Sequence, residues 1–209
     1  MGREILKFAP GYGFDVWAPS RAELDVLVED DVASAMKKWQ PGILINTSAS
    51  QVLPLCDKFP EEAFLLNSIA VYRMARLAKE NGVQFVTFST NCVYSGAKGI
   101  PMREDDLSDP LQIYGISKAA GEHAALGLYP EQSFIIRVST LYGGKEGSRA
   151  KGGNFVLDIM KEAKDKKFIE VAGDQTTNPT YAVDSARATL ALLSLPGVHP
   201  GVYHLVSDD

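Results

Sequence analysis

Short runs of β-branched and aromatic residues alternate with longer segments of helical periodicity along this chain, and that alternation limits its fold more than any other feature. Phe14-Asp-Val-Trp-Ala18 reads as a strand, Glu29 to Trp39 as a helix and Gly42-Ile-Leu-Ile-Asn46 as a second strand. Pro60 to Asn81 predicts one long helix: Phe64, Leu65, Ile69, Tyr72 and Leu77 form an apolar stripe, Pro60 suits a first turn and Gly82 supplies a stop. Val83 to Phe88 is a strand, a helix begins near Tyr114, and the strand Phe134 to Val138 follows. A helix from Asn154 to Lys164, a strand from Phe168 to Val171, a helix from Ala182 to Ser194 and a strand from Val202 to Val206 complete the series. Right-handed crossovers between such units give an α/β, doubly wound parallel sheet with helices on both faces. Ligands of such sheets bind outside the carboxyl ends of the strands. Small polar clusters fall there: Asn46-Thr-Ser-Ala49, Ser89-Thr-Asn91 and Ser139-Thr140.

A length of 209 residues with 45% hydrophobic and 22% charged side chains suits one core and is short for two domains. The net charge of -5 disfavours nucleic acid as a partner. No stretch approaches the roughly 20 apolar residues needed to span a bilayer, and the start lacks the plan of a signal peptide, so no membrane role and a cytoplasmic address are expected. Cys56 and Cys92 form no C-x-x-C, and His123, His199 and His204 lie at unrelated spacings. Reduced thiols are expected rather than a disulfide or a metal site.

Tyr114 and Lys118 carry the chemistry. Four residues apart on a helix, they share a face, so the ammonium can sit beside the phenol and lower its pKa from about 10. A tyrosine so placed exchanges a proton with a carbonyl or alcohol oxygen, while the Thr90 hydroxyl, one loop upstream, holds that oxygen. The arrangement suits hydride transfer. A dinucleotide fold should open with a hydrophobic strand and a glycine-rich turn that meets the pyrophosphate. Here Met1 to Phe8 reads as the first helix, joined by Pro10-Gly-Tyr-Gly13 to the strand at Phe14. Gly2 is either the last glycine of a G-x-x-G-x-x-G or an ordinary second residue; Gly11-x-Gly13 precedes a strand and reads as a turn. The expectation is that the first strand and glycine-rich loop are missing, that Met1 is internal to a longer reading frame, and that these residues alone bind dinucleotide weakly.

Phe88-Ser-Thr-Asn-Cys-Val-Tyr94, Pro101-Met-Arg-Glu-Asp105, Pro110-Leu-Gln-Ile-Tyr-Gly-Ile-Ser-Lys118 and Ile136-Arg-Val-Ser-Thr-Leu-Tyr-Gly143 stand in order along the chain. Gly153-Asn-Phe155, Asp174-Gln175 with Asn178-Pro-Thr180, and Gly201-Val-Tyr-His-Leu205 follow them. With these motifs the chain resembles the extended short-chain dehydrogenase/reductase superfamily and, within it, the dTDP-4-dehydrorhamnose reductase group. The resemblance implies a single NAD(P)-binding Rossmann-like domain over residues 1–209 with part of a C-terminal substrate-binding region. It implies NAD(P)H-dependent reduction of a nucleotide-linked 4-keto-6-deoxy sugar, and a possible homodimer. Tyr114 would be the general acid, Lys118 would also bind the nicotinamide ribose, and Thr90 would hold the carbonyl. Asn46, Thr47, Ser48 and Ala49 would pass under the cofactor, Ser20 and Arg21 would meet the adenosine ribose or its 2′-phosphate, Ser139 would border the nicotinamide, and Ser89 would also bind the cofactor. Arg21 favours NADPH over NADH, a solvated turn residue being the alternative. Asn91, Thr140 and Asn154 would face the sugar. Asn91 stands where the group has an aspartate and Thr140 where an aromatic is expected, which leaves the sugar open. A non-catalytic regulatory subunit and a nucleotide-sugar epimerase are the competing readings.

Four further features read as structural. Glu104-Asp105-Asp106 is a solvated face, His123 packs quietly or meets solvent, and Asn67 either bonds across to the active-site strands or anchors its helix. Arg137, on an apolar strand, needs a carboxylate or carbonyl partner if buried.

Overall fold

The computed structural model describes residues 1–143, 155–171, 173 and 176–207. In chain order the strands are Ile43–Asn46 (β1), Gln84–Thr90 (β2), Ser133–Val138 (β3), Leu141–Tyr142 (β4), Thr180–Tyr181 (β5) and Gly201–His204 (β6). The helices are Gly2–Phe8 (α1), Glu29–Trp39 (α2), Leu53–Lys58 (α3), Pro60–Phe64 (α4), Ala70–Glu80 (α5), Ile113–Leu128 (α6), Phe155–Asp165 (α7) and Ala182–Ser194 (α8). One sheet has the order β1-β2-β3-β6 with every pair parallel, and β4 pairs with β5 beside it.

Successive residues of a strand point to opposite faces, and β2 and β3 use both. Phe85 and Ile135 enter one core with Val32 and Met36 of α2, Val71 and Met74 of α5 and Ala125 of α6. Val86, Phe88, Phe134, Ile136 and Val138 enter the other with Ile5 of α1 and Ala186 and Leu190 of α8. The result is three layers, and it explains why the central strands read as apolar runs rather than alternating ones. Phe85, Phe134, Ile135 and Ile136 are fully buried, each worth about 1.5–3 kcal/mol of transfer free energy. Among the described residues no helix is long and apolar enough to cross a membrane.

Two expected strands are absent among the described residues. Phe14 to Ala18 is not a strand: Phe14 and Val16 pack on the second core, but a strand needs a ladder and no described strand lies beside this segment. Phe168 to Val171 is not a strand either; Phe168 and Val171 are 79% and 62% exposed, and the run has neither ladder nor cover. The long helix expected from Pro60 runs unbroken to Glu80, with a π turn, Leu65–Ile69, set within it between α4 and α5. Ahead of it stands α3, short and with Pro54 in its first turn, too brief to show a period.

Candidate active site

The site is built on α6, whose buried residues include Gly115, Ser117, Lys118, Gly121 and Glu122. Two glycines let this helix lie unusually close to its neighbours. A Cβ on Gly115 would stand 2.1 Å from the Cys92 carbonyl oxygen, and one on Gly121 would stand 2.2 Å from that of Asn67. The π turn presents Asn67 and Ser68 to α6: Asn67 Nδ2 donates to Ser117 Oγ (3.0 Å) and to the Ser50 carbonyl (2.9 Å). Asn67 Oδ1 accepts from Ser50 N (2.9 Å), and Ser68 Oγ donates to the Ser117 carbonyl (2.7 Å). Ser117 Oγ in turn donates to the Tyr114 carbonyl (2.9 Å). A π turn at such a place is common near functional sites. Here it fixes the rotation of the helix that carries Tyr114 and Lys118.

Thr90, the last residue of β2, has its hydroxyl against the Tyr114 phenol and accepts from Cys92 N at 3.1 Å. Lys118 reaches the same strand, its ammonium donating to the Phe88 carbonyl. The electrostatics differ from the sequence expectation. Burial pushes the Tyr114 phenol well above its usual value, the nearby Cys92 thiol adds to the rise, and the hydrogen bond from Thr90 opposes it. Burial also lowers Lys118 to about 8, with Glu122 opposing. Desolvation penalises phenolate and ammonium alike, and the lysine spends its hydrogen bond on a strand carbonyl. Tyr114 therefore rests as a neutral phenol rather than a near-phenolate.

Residues 1–209 match the family model described as RmlD substrate binding domain. The chain belongs to the RmlD substrate binding domain family. It is 35% identical over 205 residues to the spore coat polysaccharide biosynthesis protein SpsK of Bacillus subtilis, covering 98% of this chain and 69% of that protein. It is 31% identical over 207 residues to a dTDP-4-dehydrorhamnose reductase of Streptomyces griseus, covering 98% of this chain and 66% of that protein. The chain thus spans about two thirds of the length of these curated relatives. A crystal structure of the Bacillus anthracis dTDP-4-dehydrorhamnose reductase in complex with NADP superposes with a TM-score of 0.89 at 26% identity, over 100% of this chain and 71% of that one. The fold of this RmlD-family chain is accordingly Rossmann-like.

Several of the site residues expected from sequence converge. Ser89, Thr90 and Asn91 lie at the end of β2 and the start of its turn, and Ser139 and Thr140 follow β3. Asn46 ends β1, where its amide donates to Thr87 Oγ1 (3.1 Å) and its carbonyl oxygen accepts from Ser48 N (3.0 Å) and Ser48 Oγ. A Cβ on Gly2 would meet Thr47 Oγ1 at 2.9 Å, which sets the start of α1 against the Asn46 to Ala49 segment. Ser139 Oγ lies 2.8 Å from Thr177 Oγ1. Ser20 and Arg21 stand in an exposed turn, engaged with Glu23 and Asp25. Asn154, Asp174 and Gln175 lie outside the described residues.

Sequence reasoning missed two features of this RmlD-family site. Cys56 and Cys92 both bear on the Tyr114 phenol; nothing in their spacing placed them there. Arg137 finds its carboxylate in Glu122, at 2.6 Å, and its guanidinium also donates to the Tyr94 hydroxyl. Tyr94 donates to the Arg103 carbonyl (2.9 Å) and lies 3.1 Å from His204 Nε2, while Glu104 accepts from His204 N (3.0 Å). Two of the three acidic residues at 104–106 are thus anchors of the loop, Asp106 binding Lys98 and Arg103 N. The spacing of Glu122, four residues beyond Lys118, was the signal available.

Proposed function

We propose that this chain works as an NAD(P)H-dependent reductase of a nucleotide-linked 4-keto-6-deoxy sugar, with NADPH as cofactor. The observation that carries the reading is that the Tyr114 phenol lies against the Thr90 hydroxyl at the carboxyl end of β2, while the Lys118 ammonium, from the next turn of the same helix, reaches the Phe88 carbonyl two residues back on that strand, in a family whose relatives bear the reductase name. One feature of the strand end suits a dinucleotide: Ser89 Oγ, next to Thr90, is buried without a hydrogen-bond partner among the described residues, a polar atom that a ribose or nicotinamide amide could satisfy.

NADPH, when bound, supplies the hydride that the sugar C4 receives. The chain supplies the proton. Tyr114, held as a phenol by burial, gives its proton to the C4 oxygen as that oxygen becomes an alcohol, and Thr90 donates a hydrogen bond that keeps the oxygen in line. Lys118 meets the nicotinamide ribose and offsets the phenolate charge left behind. Asn46, Thr47, Ser48, Ala49, Ser139 and Gly2 border the dinucleotide, Ser20 and Arg21 its adenosine end, and Asn91, Thr140 and Asn154 the sugar. In this reading the 209 residues form one dinucleotide-binding domain with part of a substrate region, act in the cytoplasm and pair as a homodimer.

The test follows nicotinamide absorbance with a dTDP-4-keto-6-deoxy sugar for these 209 residues. Tyr114→Phe is expected to lower the rate by about 10²–10⁴ while NADPH affinity holds. A variant rate within a few-fold of the parent refutes the assignment of the acid.

A further inference from the structure

Among the described residues, one other buried charge system stands beside the relay, one helical turn from Lys118. Glu122 and Arg137 are 2% and 6% exposed. Arg137 Nε donates to both Glu122 carboxylate oxygens at 3.1 Å and Nη2 to one at 2.6 Å. Such a fork fixes the carboxylate in one orientation. Tyr94 braces the guanidinium from the far side, by hydrogen bond and by its ring face, 5.0 Å from the centroid. On α6, Glu122 lies one turn beyond Lys118, and both residues line one tight interior gap with Ser89 and Asn67, too small to hold a water.

We propose that Glu122, clamped by Arg137 and Tyr94, is a positioning residue for the proton relay: it is the fixed counter-charge that keeps the Lys118 ammonium in the buried site. The proposal rests on the reading of Lys118 as a member of that relay. Among the described residues, Glu122 is the carboxylate that opposes the burial of Lys118. The other ionisable groups around the pair are Tyr114 on the same helix, Cys56 on α3 and Cys92 after β2, both facing Tyr114, and Arg137 on β3 behind Glu122. Beyond Tyr94 stand His204 on β6 and Glu104 and Asp106 of the loop.

The experiment titrates Lys118 by the 15N resonance of its Nζ, assigned with Lys118→Met, in the intact chain and with no cofactor or substrate. Glu122→Gln is expected to weaken proton binding at Lys118 by at least about tenfold, and Glu122→Asp to keep it within a few-fold. Because Glu122→Gln leaves Arg137 buried without a counter-charge, the Glu122→Gln/Arg137→Met pair is measured beside it. That variant regains the melting temperature but not the lysine titration. A Lys118 midpoint that is unmoved in Glu122→Gln, or that returns to the parent value in the double variant, overturns the proposal and leaves the pair a structural ion bridge. Loss of hydride transfer in Tyr114→Phe, read separately, tests the reductase assignment and not this one.

Discussion

Gly115→Ala pits two effects against each other. In a helix interior alanine is favoured over glycine by about 0.8–1 kcal/mol, so an unobstructed site would gain that much. At Gly115 the new Cβ would lie 2.1 Å from the Cys92 carbonyl oxygen and 3.0 Å from its carbon, where a carbon and a carbonyl oxygen ordinarily keep about 3.3 Å. The helix must therefore retreat from the turn after β2 by about 1 Å. A gap of 0.5–1 Å forfeits about a quarter to a half of each affected contact, and overpacking of this kind costs about 1–3 kcal/mol. The clash offsets the propensity gain and leaves a net loss of up to about 2 kcal/mol, or up to roughly 8 °C in melting temperature for a chain of this size. Gly127 is the control. It lies on the same helix, and a Cβ there meets nothing within 4 Å, so Gly127→Ala is expected to gain about 1 kcal/mol. Urea unfolding of the two variants side by side decides the matter. Equal stabilities would show that the approach of α6 to Cys92 does not hold, and with it the account of how Tyr114 is placed beside Thr90.

Arg137→Met leaves the Glu122 carboxylate buried without its partner and should cost about 3–5 kcal/mol by denaturant unfolding, most of it regained in the Glu122→Gln/Arg137→Met pair. Lys118 falls from 10.5 to about 8 on folding, so between those values the unfolded chain binds more protons and stability rises with pH. The rise amounts to about 2–3 kcal/mol between pH 8 and pH 10 and should flatten in Lys118→Met. Tyr114 is raised above 10.0, so the unfolded phenol ionises first and its contribution falls away above about pH 10, where Tyr114→Phe should decline less steeply.

The parallel sheet was legible because β2 and β3 bury both faces, which sets apolar residues side by side, Phe85-Val86 in one and Phe134-Ile135-Ile136 in the other, instead of alternating them with polar ones. Helices α2, α6 and α8 were legible from their period. Phe14 to Ala18 misled because alternation records which side chains are covered, whereas a strand also requires a neighbouring backbone. The π turn was not legible: Leu65 to Ile69 keeps an apolar pattern through it, and its cause lies fifty residues away, where Ser117 meets Asn67. At the site, Tyr114, Lys118 and Thr90 could be read from spacing and strand ends. Their pKa directions could not, since the sign depended on burial by β2, on two cysteines from other segments and on where the lysine spends its hydrogen bond.

That sign bears on the direction of the proposed reaction. A tyrosine tuned toward phenolate is a base, suited to taking a proton from an alcohol. A tyrosine held as a phenol by burial keeps its proton until a stronger base comes within reach, and the oxygen of a carbonyl receiving hydride becomes such a base. Burial thus favours the donor state, at the cost of leaving a phenolate in a dry site once the proton has gone. In the proposed reaction the hydroxyl of Thr90, against the phenol, and the ammonium of Lys118, one turn along the helix, offset that charge. Lys118 can do so only while protonated, and its own burial brings it to about 8, close to neutrality. Without a carboxylate nearby it would titrate lower still, so an acid of this kind needs the Glu122 turn of α6 as much as the Tyr114 turn.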